Sequence, residues 1–143
     1  MRLLRARGDR GSGAIAVIFF ALVVLGLAAF VVDGGLSIAQ RERAADIAEQ
    51  AARYAAQDLD VEALRDGAGQ APIRFGNCEN RVAEYAESVG MPAGDIAAAE
   101  CTGATADQVT VRIRLTYDPV FTGIVFGGSL TVWGTATAEA QVG

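Results

Sequence analysis

The sequence predicts an α+β chain. One long N-terminal helix, apolar enough at its start to cross a membrane, continues into an amphipathic helix. A small domain follows, with a short helix and a C-terminal antiparallel sheet. Three observations predict this. Ala14 to Val32 (AIAVIFFALVVLGLAAFVV) is nineteen residues without a charge. Beyond it, small and apolar residues recur at three- and four-residue steps from Ala44 to Ala55, the period of a helix face. Near the C-terminus, Val109–Tyr117 and Leu130–Val142 alternate apolar with polar residues, the period of a strand.

The apolar run comes first. At 1.5 Å per residue nineteen helical residues reach about 28 Å, close to the hydrocarbon thickness of a bilayer. Arg2, Arg5, Arg7 and Arg10 precede it against Asp9 alone. Positive charge beside a span stays cytoplasmic, so residues 1–13 read as a cytoplasmic basic head, 14–32 as a single transmembrane helix and the remainder as extracytoplasmic. A cleaved secretory signal is the competing reading, since Gly26-Leu27-Ala28 suits a signal peptidase. Signal cores usually end after about 7–15 residues, and this run continues through Ala29-Phe30-Val31-Val32, which favours a retained anchor.

Residues 33–59 form the amphipathic part. Ala44, Ile47, Ala48, Ala51, Tyr54 and Ala55 share one stripe, with Glu42, Asp46, Glu49, Arg53 and Gln57 opposite. Glu49 and Arg53 form a favourable i,i+4 pair. The stripe is expected to pack between subunits, because small side chains let helix backbones approach closely; its C-terminal half is expected to cover the domain's own sheet as well. No Pro interrupts Ala14 to Ala71, so span and stripe form one rod, bent or weakened near Gly34-Gly35.

Residues 60–143 read as the small extracytoplasmic domain. Arg65–Asn77 carries Gly, Pro and Asn and is a loop. Glu79–Val89 is a short helix, with Val82, Tyr85, Ala86 and Val89 inward and Gly90 as its C-cap. Asp95–Cys101 is a candidate first strand, although its three consecutive Ala suit a helix equally. Val109, Val111, Ile113, Leu115 and Tyr117 face inward from the second strand. Leu130, Val132, Ala136, Ala138, Ala140 and Val142 do so from the third, with Gly134 a candidate bulge. The connection Val120–Gly128 is unusually apolar. It either folds under the sheet or leaves Val120, Phe121, Ile124, Val125 and Phe126 as a patch for a partner.

Composition excludes several functions. From Asp33 onward sixteen acids face eight Arg, a balance that repels phosphate backbones and argues against nucleic-acid binding. The chain has no His and no Lys, so Ser-His, Cys-His and Ser-Lys arrangements cannot be built. No enzyme is expected. No dinucleotide or phosphate-loop motif calls for a cofactor. Asp58, Asp60, Glu62 and Asp66 resemble the opening of a calcium loop, but Ala63 and Gly69 occupy the positions where Gly and Glu are required. A solvated turn is the better reading, and no metal site is expected. Cys78 and Cys101 both lie on the predicted outer side. That side is oxidising, which favours one disulfide; the alternative is a pair of buried thiols.

Two stretches, RGSGAIAVIFFALVVLGLAAFVVDGG (Arg10–Gly35) and RERAADIAEQAARYAAQ (Arg41–Gln57), together resemble the N-terminal region of TadE/TadG-like proteins of the bacterial tight-adherence (Flp) pilus. The shared features are the Gly-led apolar run, the Asp-Gly at its outer edge and the Arg…Ala-Ala-Asp…Ala-Ala pattern behind it. The resemblance implies a pilin-like layout, other pilus subunits or assembly proteins as partners, and residence in the bacterial cytoplasmic membrane. Members cut by a prepilin peptidase carry Glu five residues after the cleaved Gly. Here Ile18 stands at that distance from Gly13 and Ala16 from Gly11, a departure that fits the TadG-like branch. The resulting expectation is a minor-pilin-like or accessory subunit. A bitopic surface protein that binds a ligand through Val120–Gly128, and a secreted module released at Ala28, are the alternatives.

Overall fold

The computed structural model describes residues 10–67 and 71–140. Arg2, Arg5 and Arg7 of the basic head, Gly69 and Val142 lie outside them. Helix α1 runs unbroken from Arg10 to Ala56. Gly34 and Gly35, where a weak point is expected, are helical, although each Gly costs a helix about 1 kcal/mol relative to Ala. The two parts of α1 have different surroundings. Large side chains from Ile15 to Val32 are exposed, and the helix is long and apolar enough to cross a membrane. From Ala44 onward one face is buried.

After α1 the chain turns through Asp58–Asp60 into α2 (Val61–Arg65). Asp60 caps it, its carboxylate accepting the Glu62 and Ala63 N–H groups at 3.1 and 3.2 Å. A 3-10 turn, Phe75–Asn77, leads into α3 (Cys78–Ser88). That helix ends in a Schellman arrangement. Gly90, at φ 73°, lets the Gly90 N–H reach the Glu87 carbonyl (2.9 Å) and the Met91 N–H reach that of Ala86 (3.1 Å). Val89, expected inward, instead sits at the cap and is exposed.

The expected first strand needs correction. Asp95 belongs to α4 (Ala93–Ile96), and Ala97–Ala99 continue in turn hydrogen bonds. Strand β1 is Glu100–Ala104. Pro92 sets an extended entry to α4, and the alanines that follow favour turns and helix over a ladder.

Strands β2 (Gln108–Tyr117) and β3 (Leu130–Glu139) complete a three-stranded antiparallel sheet of order β1-β2-β3. The β2–β3 register is unbroken from Gln108↔Glu139 to Tyr117↔Leu130, with Gly134 opposite Ile113. Gly134 is therefore no bulge; the irregularity lies in β1, between Cys101 and Gly103. The two long strands are joined through α5 (Thr122–Phe126).

The C-terminal part of α1 lies across the sheet. Ala44, Ala48, Ala51, Ala52 and Ala55 form one core with Val109, Val111, Ile113, Leu115 and Val132, and α3 adds Cys78, Val82 and Ala86. This is the face that the alternation predicts, except that Leu130, expected inward, is exposed at the start of β3; Gly134 continues the face. A Cβ on Gly134 would fall 2.2 Å from the Ala44 carbonyl carbon and 2.3 Å from the Ala45 nitrogen. Helix and strand backbones are in contact there, which only Gly permits. One loop residue was missed. Ile73 is fully buried, with its N–H on the Ala106 carbonyl at 2.8 Å.

Candidate functional site

The first polar constellation lies at the C-terminal end of the apolar run. Asp33 is buried. Its carboxylate accepts the N–H groups of Val120 (2.9 Å), Phe121 (3.1 and 3.2 Å) and Thr122 (2.7 Å). These are the amides that open α5, and a carboxylate facing them satisfies groups a short helix leaves unpaired. The Thr122 N–H foremost, then those of Phe121 and Val120, hold the carboxyl below its usual range against the cost of burial. Nothing local in the sequence signals this contact, because its two sides lie almost ninety residues apart.

The contact holds the start of the apolar connection against α1. The connection does not fold under the sheet. Ile124, Val125 and Phe126 are 81, 72 and 84% exposed, and Val120 and Phe121 are also exposed.

The stripe behaves otherwise. Ala44, Ile47, Ala48, Ala51 and Ala55 are buried inside the chain's own core, and Tyr54 is half-buried beside it. The packing expected between subunits is thus taken up within the molecule. The physical cause is the small-residue face itself, which lets β3 approach to backbone contact at Gly134. Tyr54 stacks near Tyr85 with ring centroids 5.9 Å apart, under the Arg81 guanidinium at 3.9 Å. Glu49 and Arg53 pair on the exposed face as expected.

A second buried acid ties α4 to the sheet. Asp95 is 2% exposed. Its carboxylate accepts from Arg114 Nε (3.0 Å), the Thr116 N–H (2.8 Å) and the Thr116 hydroxyl (2.7 Å), while the Arg114 guanidinium also reaches the Gly94 carbonyl. Burial pushes the carboxyl up, and the Thr116 and Arg114 donors outweigh it, leaving it below its ordinary value. A depressed carboxylate stabilises the fold above the unfolded-state value, and that stabilisation is lost as pH falls through the folded-state one. Asp95→Asn is expected to cost about 2 kcal/mol near neutral pH. Urea midpoints at pH 7 and pH 3 should differ less for the variant than for the unaltered chain. An unchanged pH dependence would remove Asp95 as a contributor.

Cys78 and Cys101 are joined as a disulfide between α3 and β1, their Cα atoms 6.3 Å apart. In the chain-entropy view closing such a loop contributes about 3 kcal/mol. The carboxylates that resemble a calcium loop have other work: Asp60 caps α2, and Asp58 accepts from the Asn77 amide at 2.7 Å. On the open face of the sheet the Arg112 guanidinium lies 4.1 Å over the Trp133 ring.

Residues 11–58 match the Tad family, described as Flp pilus-assembly TadE/G-like. The matched residues take in all but Arg10 of the stretches Arg10–Gly35 and Arg41–Gln57, and with them the apolar run, Asp33 and the buried stripe. No curated protein and no solved structure matches the chain.

Proposed function

We propose, from the premise that residues 11–58 are a TadE/G-like segment, that the chain is a non-enzymatic, membrane-anchored component of Tad/Flp pilus assembly. Its role is that of a minor-pilin-like or accessory subunit. The span is 14–32, with the basic head cytoplasmic and residues 33–143 outside. The observation that carries the reading is α1 itself. One unbroken helix carries residues 11–56 of the matched segment, exposes large apolar side chains from Ile15 to Val32, and then packs into the core of a folded domain. The other pilus subunits or assembly proteins are its partners. Since the stripe faces inward, they meet the domain elsewhere.

Two measurements test this. Deletion of the gene in a piliated cell should abolish or sharply reduce surface pili, and the intact gene should restore them. Unchanged piliation would refute the assembly role. A periplasmic reporter fused after Ala140 should be active in membrane fractions, and activity only from a cytoplasmic reporter would overturn the orientation.

A further inference from the structure

We propose that α5 is a lipid-contacting wedge: Ile124, Val125 and Phe126 enter the outer interfacial layer of the bilayer that α1 spans, at a depth set by Asp33. The inference rests on the anchored reading above.

Position is the first argument. Asp33 directly follows Val32, the last residue of the apolar run, and the amides of Val120, Phe121 and Thr122 all hydrogen-bond its carboxylate. The start of α5 therefore lies within one hydrogen bond of the level at which the span ends. Composition is the second. From Pro119 to Ala138 there is no charged side chain, in a domain that is otherwise acidic. A wedge of three adjacent large apolar side chains, each more than two-thirds exposed, is costly in water and favourable among acyl chains.

Backbone accounting is the third. Lipid supplies no hydrogen bonds, so an entering segment must satisfy its own amides. Asp33 takes those of residues 120–122. The Ile124 and Val125 N–H groups go to the Phe121 carbonyl, and the Gly127 N–H goes to Gly123. Gly127 and Gly128, at φ 69° and 93°, then turn the chain back into β3. Partly exposed Leu130 and Trp133 follow, and Trp is the residue of membrane interfaces.

The test uses the full chain in lipid nanodiscs. Cys78 and Cys101 are paired, so an introduced cysteine is the thiol that labels. Val125→Cys, Val32→Cys and Asp107→Cys each receive an environment-sensitive fluorophore, and quenching by lipids bearing a shallow nitroxide is measured. Asp107 lies in the turn at the opposite end of the sheet, ten strand residues or roughly 30 Å away. Quenching at position 125 should approach that at 32 and exceed that at 107 several-fold. Quenching at 32 with none at 125 overturns the wedge while leaving the anchor standing. Quenching at neither overturns both. Position 125 unquenched but cross-linking between copies assigns the patch to self-association, against the proposal. In an Asp33→Asn background quenching at 125 should fall while that at 32 holds; unchanged quenching at 125 refutes Asp33 as the element that sets depth.

Discussion

Gly134→Ala is expected to destabilise the folded C-terminal part by about 3 kcal/mol or more, the upper range for overpacking a close contact. The added methyl would meet the Ala44 carbonyl and the Ala45 nitrogen at 2.2–2.3 Å. Those are backbone atoms of a helix and have no rotamer by which to withdraw. Relief requires α1 and β3 to separate, which loosens every alanine contact along the interface. Measured against a typical stability of 5–15 kcal/mol, the loss is large. Trp133, adjacent in β3 and the chain's one tryptophan, reports it through urea unfolding in detergent. A midpoint within error of the unaltered chain would mean that helix and strand are not in backbone contact. Gly103→Ala is the control, since its Cβ would meet only the Thr110 side chain at 3.7 Å.

Ala48→Arg has the second large effect, and its expected direction follows from where the stripe lies. Ala48 is 0% exposed inside the core. A guanidinium there has no acid to meet, and an unpaired buried charge costs about 3–5 kcal/mol. The expected result is little folded protein in the membrane fraction. Asp46→Arg, on the exposed face of the same helix, should cost under about 0.5 kcal/mol. Normal amounts of folded Ala48→Arg protein, with pili lost, would restore the stripe as a surface between subunits. Immunoblotting of membrane fractions, with thiol labelling to show Cys78–Cys101 still paired, separates the two outcomes.

Much of the fold was legible because its elements are periodic. The step of three and four from Ala44 to Ala55 defined the buried helix face, and strict alternation defined β2 and β3. What the pattern could not supply was the partner of each face. Small residues in a row read the same whether another subunit or β3 closes on them, and the informative residue was Gly134. Gly within an alternating strand signals a close backbone approach as readily as a bulge. Ile73 was missed because a single apolar residue between Pro72 and Arg74 has no period. The α4 turn was ambiguous because its alanines state a weak preference that Pro92 and the Asp95 contacts decide. The contact of Asp33 with α5 spans most of the chain and leaves no local trace.

The continuity of α1 through Gly34-Gly35 makes the helix a gear with a fixed phase. Asp33 and Ala44 are eleven residues apart, three turns and about 20°, so the carboxylate that holds α5 and the alanine that touches β3 point the same way, about 16 Å apart. One inserted residue would turn Asp33 by about 100° and carry its carboxylate away from Thr122. Four would nearly restore the angle but add about 6 Å of height. No insertion restores angle and height together. The distance from apolar run to sheet is thus set as a pitch, and a flexible linker cannot replace Gly34-Gly35 without uncoupling the rotation of the apolar run from that of the sheet.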